Sequence, residues 1–254
     1  EFSVSLGITP KDYSPKEILD LPERIAKEQG IRIVVCIDEF QQIGEFADSL
    51  TVQKRLRGVW QHHQHVSYCF FGSKKHLMEN IFQSRRMPFY QFGEMLHLKC
   101  IPTEYWVPFI CSRFEKYGKK ISEEYAARIC HTVKNYSSYV QQLAWNVMAE
   151  TEIEVNEESF TEGFNALLEQ NSSLFIQQTE GLTTYQLNFI RLLCNGIHSG
   201  FNTQSVVELY SLGSKSNVDR IKKCLIDREL ITIEKEGVFL ADCVFELWFK
   251  REMM

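Results

Sequence analysis

Apolar residues along the first hundred positions recur in patterns that predict alternating helices and strands. Residues 14–17 (Ser-Pro-Lys-Glu) have the features of a helix start, with an N-cap Ser, Pro at the first helical position and a capping-box Glu. We expect Pro22 to break or restart this helix and Gly30 to end it. The run at residues 31–37 is largely apolar and rich in β-branched side chains, which is typical of a strand buried on both faces of a parallel sheet.

The same alternation continues to residue 101. A helix is predicted where apolar residues recur at i, i+4, i+7 and i+8 from Val52, and another covers about residues 76–82. Apolar runs at residues 66–71 and 95–101 predict a second and a third strand. Strands that alternate with helices are typical of a doubly wound α/β sheet, which is the fold class that we expect for residues 1–101.

Beyond Pro102 the pattern changes twice. Residues 102–172 show only helical periodicity, and Asn171-Ser172-Ser173 is predicted to be a linker. Residues 173–254 predict three helices and two short strands, near residues 184–194, 204–210, 217–228, 230–233 and 238–240. A capping box at Ser216 would open the third helix. Three helices and a β-hairpin indicate a winged helix-turn-helix, so we expect an α/β part, an all-α part and a winged helix.

Composition and charge are those of an ordinary globular protein. The chain has 254 residues, of which 44% are hydrophobic and 24% charged. No apolar run approaches the ~20 residues that cross a bilayer, and the first ten residues lack the basic and apolar regions of a secretory signal. The net charge of −5 makes the whole surface a poor partner for nucleic acid, so any such binding would be local.

Cysteine and histidine usage gives little support for a metal site. The eight cysteines are scattered without a CxxC pair, which favours buried thiols in a reducing cytosol over a disulfide framework or a zinc site. His62 and His65 would share one side of a helix, but acids or cysteines with metal-ligand spacing do not lie nearby in sequence. We therefore expect a cytoplasmic protein and interpret these histidines as the polar end of a helix.

Polar residues at the ends of the first two predicted strands suggest a phosphate site. Open α/β sheets bind ligands at the carboxyl ends of their strands, where Asp38 could hold magnesium and Glu39 could activate water as a general base. Ser73, at the tip of the second strand, could hydrogen-bond a γ-phosphate or the attacking water. The alternatives stay open at this point: two solvated acids in a turn, and a Ser that caps the next helix.

Two groups of basic residues are further candidates. Arg85 and Arg86 follow the helix after Ser73 and could reach a neighbouring subunit's nucleotide as an arginine finger, with a solvated basic turn as the alternative. Candidate DNA contacts on the third helix of the winged helix are Lys215, Arg220, Lys222 and Lys223. Residues 183–254 carry nine basic and nine acidic side chains, so a protein-interaction role for this part also stays open.

The chain resembles the AAA+/STAND-type ATPases of the archaeal-ATPase group in four segments and their order: IVVCIDEF (33–40), FFGSK (70–74), RRMPFYQF (85–92) and YVQQLA (139–144), followed by the winged helix. The resemblance spans about residues 15–254. It implies ATP and Mg²⁺ as cofactors, a P-loop NTPase core in residues 1–101, a helical lid in 102–172 and a winged helix in 173–254. Asp38 is then the Walker B acid on the metal side, acting through water, Glu39 the catalytic base and Ser73 the sensor 1 residue that also contacts nucleotide. A homo-oligomer would bring Arg85 and Arg86 to a neighbour's nucleotide.

One half of such a site is missing from the 254 residues. They contain no GxxxxGK[ST] loop, which holds the phosphates with backbone N–H groups and a Lys. The Gly-x-Pro turn of the family's lid is also replaced, by Asn-Tyr-Ser-Ser at 135–138. We expect the phosphate loop on an N-terminal part of the same protein, and we expect this chain alone not to hydrolyse ATP. The alternative is a winged-helix DNA-binding or protein-interaction regulator whose nucleotide core is vestigial.

Overall fold

A computed structural model of the chain describes residues 14–254. Contacts between Cα atoms divide the chain into two compact units, Glu1–Leu98 and Lys99–Met254. Among residues 14–254, helices long and apolar enough to cross a bilayer are absent.

The first unit alternates helices with two strands, as predicted. Its elements are α1 (Pro15–Gln29), β1 (Ile33–Ile37), a 3-10 helix (Phe40–Glu45), α2 (Ser49–Trp60), β2 (Val66–Phe70) and α3 (Lys75–Gln83). The capping box at Ser14 is present, and Gly30 ends α1 with a φ of 61°. The prediction that Pro22 breaks the helix is wrong, because α1 continues through it. Proline removes only one backbone donor, and the other hydrogen bonds and the packed face of the helix hold it together.

Strands β1 and β2 form a two-stranded parallel sheet, in register from Ile33 opposite Val66 to Ile37 opposite Phe70. The core of the first unit lies on one face of this sheet and contains Phe40, Ile43, Val59, Trp60, Ile81 and Phe89. The expectation that the strand is buried on both faces is wrong, because Val34 is 64% exposed on the other face. Cys36 and Cys69 share that open face and are exposed, as is Cys100. The expectation that the cysteines are buried is therefore wrong for these three.

The predicted third strand at residues 95–101 is also wrong. This segment has no helix or strand in the described part of the chain, and Leu96 and Leu98 are 81% and 88% exposed. A strand exists only where a neighbour accepts its backbone hydrogen bonds, and alternating apolar residues alone do not supply that neighbour.

The second unit begins with four helices: α4 (Thr103–Lys116), α5 (Glu123–Thr132), α6 (Ser137–Glu150) and α7 (Glu157–Thr179). The predicted linker at Asn171–Ser173 is wrong, because α7 runs through it. Asn and Ser are only weak helix breakers, and here packing decides. Leu168 and Phe175 are fully buried on either side, and the Trp248 indole donates to the Ser172 hydroxyl at 3.1 Å.

The remaining elements form a winged helix-turn-helix: α8 (Thr184–Cys194), α9 (Gln204–Leu209), α10 (Lys215–Asp227), β3 (Ile231–Glu234), β4 (Gly237–Leu240) and a final helix α11 (Cys243–Glu252). Strands β3 and β4 pair antiparallel. The predicted capping box at Ser216 is wrong, because the N-cap of α10 is Ser214, two positions earlier. The Ser214 hydroxyl accepts a hydrogen bond from the Asn217 N–H. The helices α4–α7 and the winged helix share one hydrophobic core.

Candidate functional site

The ends of β1 and β2 lie side by side and carry the predicted polar residues. Backbone pairing continues one step beyond both strands, because the Phe71 N–H donates to the Ile37 carbonyl and the Phe40 N–H donates to the Phe71 carbonyl, both at 3.1 Å. These two bonds enclose Asp38 and Glu39 and fix the acidic turn against the end of β2. The parallel arrangement therefore brings the acids next to the Gly-Ser turn that follows β2, as the sequence predicts.

Glu39 adopts an unusual backbone conformation within this turn. Its φ is 47°, in the left-handed region that non-glycine residues seldom occupy. The carboxylate of Asp38 accepts a hydrogen bond from the Glu39 N–H at 2.8 Å, which supports this conformation. Asp38 itself is exposed, and Glu39 is half-buried.

The side chain of Glu39 is held by two donors from different elements. The Ser73 hydroxyl donates to Glu39 Oε2 at 3.1 Å, and the Gln41 side-chain amide donates to the same oxygen. Ser73 does not cap α3, because the N-cap is Lys74 and makes no side-chain capping bond. Of the predicted catalytic residues, the structure thus joins Glu39 and Ser73 directly.

Hydrogen bonding holds the pKa of Glu39 below its usual range. The bond from Gln41 is the largest cause. Partial burial acts in the opposite direction, and the Ser73 hydroxyl, the Ser73 backbone N–H and the charge of Lys74 lower the pKa further. The carboxylate is therefore ionised near neutral pH, as a proton acceptor must be.

Gln41 and Gly72 complete this arrangement, and sequence reasoning missed both. Gln41 is only 1% exposed, and within the described residues its Oε1 atom has no hydrogen-bond partner. A Cβ atom at Gly72 would lie 1.8 Å from that oxygen, so only glycine leaves room for the buried amide. The available signal was a polar residue directly after Phe40 in an apolar turn, together with a glycine directly before Ser73.

Arg85 and Arg86 lie elsewhere in the first unit. Both are exposed in the turn that follows α3, and in the part of the chain that the structure describes, hydrogen bonds or ion pairs to Asp38, Glu39 or Ser73 are absent. Arg57 of α2 fixes the adjoining segment, since its guanidinium donates to the carbonyls of Pro88 and, at 2.8 Å, Tyr90.

The histidine segment is engaged in hydrogen bonds within the fold. His65 Nδ1 lies 3.0 Å from a carboxylate oxygen of Glu23, and that carboxylate also accepts the backbone N–H groups of Gln64 and His65. Nearby, His63 bridges Asp20 and Tyr68. Across residues 14–254, groups of three or more His, Cys, Asp or Glu side chains with metal-binding geometry are absent.

The candidate DNA contacts lie on α10, whose inner stripe of Val218, Ile221 and Leu225 is buried. Lys215, Arg220 and Lys223 are exposed. Lys222 is partly buried and is engaged within the fold, because its ammonium lies 3.6 Å from Asp219 and over the Phe201 ring.

The fold combines a small parallel sheet flanked by helices, an all-α part and a C-terminal winged helix, which confirms the predicted fold class. A family model described as a probable winged helix domain matches residues 173–251. The whole chain is similar in structure to a Walker-type ATPase of Pyrococcus abyssi, with a TM-score of 0.71, 15% identity, and coverage of 97% of this chain and 72% of that chain. At this identity the similarity establishes the fold alone.

Two other solved structures are more distant. The ORC2 protein of Aeropyrum pernix has a TM-score of 0.46 at 14% identity and covers 98% of this chain and 72% of its own. The RuvB Holliday junction branch migration motor of Thermotoga maritima has a TM-score of 0.46 at 13% identity and covers 93% of this chain and 92% of its own. Similarity at this level carries no argument here. A search of curated proteins gives no match.

Proposed function

We propose that this chain carries the acidic and sensor half of an ATP-binding and ATP-hydrolysing molecular switch of the AAA+/STAND type. One observation carries the proposal: the Ser73 hydroxyl lies 3.1 Å from the Glu39 carboxylate at the ends of two paired parallel strands. A general base and a hydrogen-bond donor for the γ-phosphate or the attacking water need this proximity, because both act on the same few atoms.

Each residue then has a separate task. Asp38 is the exposed Walker B acid and would hold Mg²⁺ through water. The bound ion would supply positive charge that neutralises the phosphates. Glu39 accepts a proton from the attacking water. Ser73 is the sensor residue and donates a hydrogen bond to the γ-phosphate or to that water. A single carboxylate suits Mg²⁺ in such sites, because phosphate oxygens and water complete its coordination.

The phosphates need donors that the 254 residues do not provide as a GxxxxGK[ST] loop. We assign that loop to an N-terminal part of the same protein. The uncovered sheet face around Val34, which is 64% exposed, supports this assignment because buried parallel sheets are normally covered on both faces. Arg85 and Arg86 are exposed and are proposed to reach the nucleotide of a neighbouring protomer in a homo-oligomer.

Steady-state ATP hydrolysis by the protein that includes the phosphate loop tests the proposal. We expect Glu39→Gln to lower kcat by about 10²–10⁴-fold, the usual contribution of a general base, while ATP still binds. The matched control is Glu45→Gln, which removes an exposed acid from the adjoining 3-10 helix and should change kcat by less than about twofold. Wild-type turnover by Glu39→Gln would refute the assignment, as would robust hydrolysis by the 254-residue chain alone.

A second function, DNA binding by the winged helix, is favoured by the exposed basic side chains of α10. Mobility shift with duplex DNA at two salt concentrations tests it. We expect Lys223→Gln to weaken binding and to reduce the slope of log K against log salt by about 0.9, the value for one phosphate contact. Lys116→Gln, an exposed Lys on α4, is the control and should leave the slope unchanged. Absence of a shift at both salt concentrations would favour a protein partner instead.

A further inference from the structure

A groove between α4 and α6 lies in the second unit and is separate from the strand-end site. Its volume is about 510 Å³, within the range of sites that bind small molecules. It is lined chiefly by Trp106, Phe109 and Arg113 of α4, by Tyr117 at the C-cap of α4, and by Gln141 and Trp145 of α6. These α4 positions recur every three or four residues, so the groove follows one face of the helix for three turns.

One end of the groove is aromatic and open. The rings of Tyr117 and Trp145 meet edge to face, with their centroids 6.1 Å apart. The two side chains are 58% and 57% exposed, which is unusual for adjacent large aromatic residues that line a concavity. An apolar ring or chain inserted here would remove both aromatic surfaces from water.

The other end of the groove offers hydrogen-bond donors and a positive charge. Trp106 lies at this end and is 94% buried, and its indole nitrogen is not accessible from the groove. The guanidinium of Arg113 lies 4.9 Å from the centroid of the Phe109 ring, which in turn packs 5.6 Å from Trp106. Among residues 14–254, Arg113 has no acidic partner within ion-pair distance.

We propose that this groove binds a small amphiphilic acid. Its apolar body, preferably aromatic, occupies the space beside Tyr117 and Trp145, and its anionic group pairs with Arg113. The charge argument is direct, because Arg113 is the only ionisable side chain with a full charge among the described residues that line the groove.

A matched pair of fluorescent probes tests the proposal on the 254-residue chain. 8-Anilinonaphthalene-1-sulfonate and N-phenyl-1-naphthylamine share one apolar body, and only the first carries an anion. We expect Arg113→Gln to weaken sulfonate binding about tenfold, as for loss of one charge-assisted hydrogen bond, and to change binding of the neutral probe by less than twofold. Trp145→Ala should weaken both probes, and decanoate should displace the sulfonate probe at concentrations at which decanol does not.

Arg228→Gln is the control for the charge, because Arg228 is exposed at the C-cap of α10 and does not line the groove. It should leave both affinities unchanged. Arg113 and Trp145 are both largely exposed, so their variants should fold, and far-ultraviolet circular dichroism checks this. The proposal is overturned if the sulfonate probe shows no saturable binding, if Arg113→Gln affects both probes equally or neither, or if Trp145→Ala leaves both affinities unchanged.

Discussion

A single methyl group at position 72 tests the packing that holds the acidic turn. In Gly72→Ala the new Cβ atom would lie 1.8 Å from Gln41 Oε1 and 2.9 Å from its Cδ, far inside normal contact distance. The amide of Gln41 has nowhere to move without cost, because the residue is 99% buried. We therefore expect the substitution to displace Gln41 and to break its hydrogen bond to Glu39.

The expected loss follows from the cost of overpacking. Additional methyl groups in a packed interior destabilise proteins by about 1–3 kcal/mol, so we expect about 2 kcal/mol for the first unit. Gly44→Ala is the matched control in the 3-10 helix that carries Gln41, because its Cβ would meet no atom within 4 Å. That variant should change the free energy of unfolding by less than about 0.5 kcal/mol.

The decisive measurement is a double-mutant cycle with Gln41→Ala, which removes the atoms that collide. In that background Gly72→Ala should be nearly neutral, which corresponds to a coupling of about 1–2 kcal/mol. Because the chain has two compact units, a single unfolding transition is not assured. Hydrogen exchange under increasing urea, read by mass spectrometry on peptides from the first unit, gives its stability separately. An equal loss in both backgrounds would refute the packing argument.

Two further predictions concern stability. Gly163→Ala would place a Cβ atom 2.6 Å from backbone atoms of Val147, so thermal unfolding should show a free energy of unfolding lower by about 1–2 kcal/mol, despite the better helix propensity of Ala. Gly58→Ala lies in open space on α2 and should instead raise the free energy of unfolding by about 0.5–1 kcal/mol. Changes of the same sign in both variants would contradict this reasoning. Burial alone would raise the pKa of Glu23, but hydrogen bonds, chiefly from His65, lower it to about 2. Because the pKa is lower in the folded state, this stabilisation is complete above the unfolded value of about 4.3 and is lost as pH falls towards 2. Urea midpoints between pH 2 and 6 should therefore depend less on pH in Glu23→Gln than in the wild type.

Local signals in the sequence were reliable where neighbours in sequence decide the structure. The capping box at Ser14 and the left-handed Gly30 depend on residues within one helical turn, and both are present. The placement of Asp38 and Glu39 at the end of a strand also followed from the sequence, because a short apolar run fixes where the strand stops.

The remaining features depend on residues that are distant in sequence. Whether Asn171–Ser173 forms a linker was decided by packing around α7 and by the indole of Trp248, which lies 76 positions away. The role of Gln41 required knowing that Gly72, on the next strand's end, leaves space for its amide. The run at residues 95–101 has strand periodicity, but hydrogen bonding to a neighbouring strand cannot be read from periodicity.

Helix α7 has a mechanical consequence. It is 23 residues long, which makes it a rod of about 34 Å, and it begins among the helices α4–α6 and ends where the winged helix begins. Because one apolar core continues along the buried face of that helix, bending between the two parts would expose buried surface. A rotation of α4–α6 should therefore rotate the winged helix with them as one rigid body. The displacement of α10 would then increase with its distance from the axis of rotation.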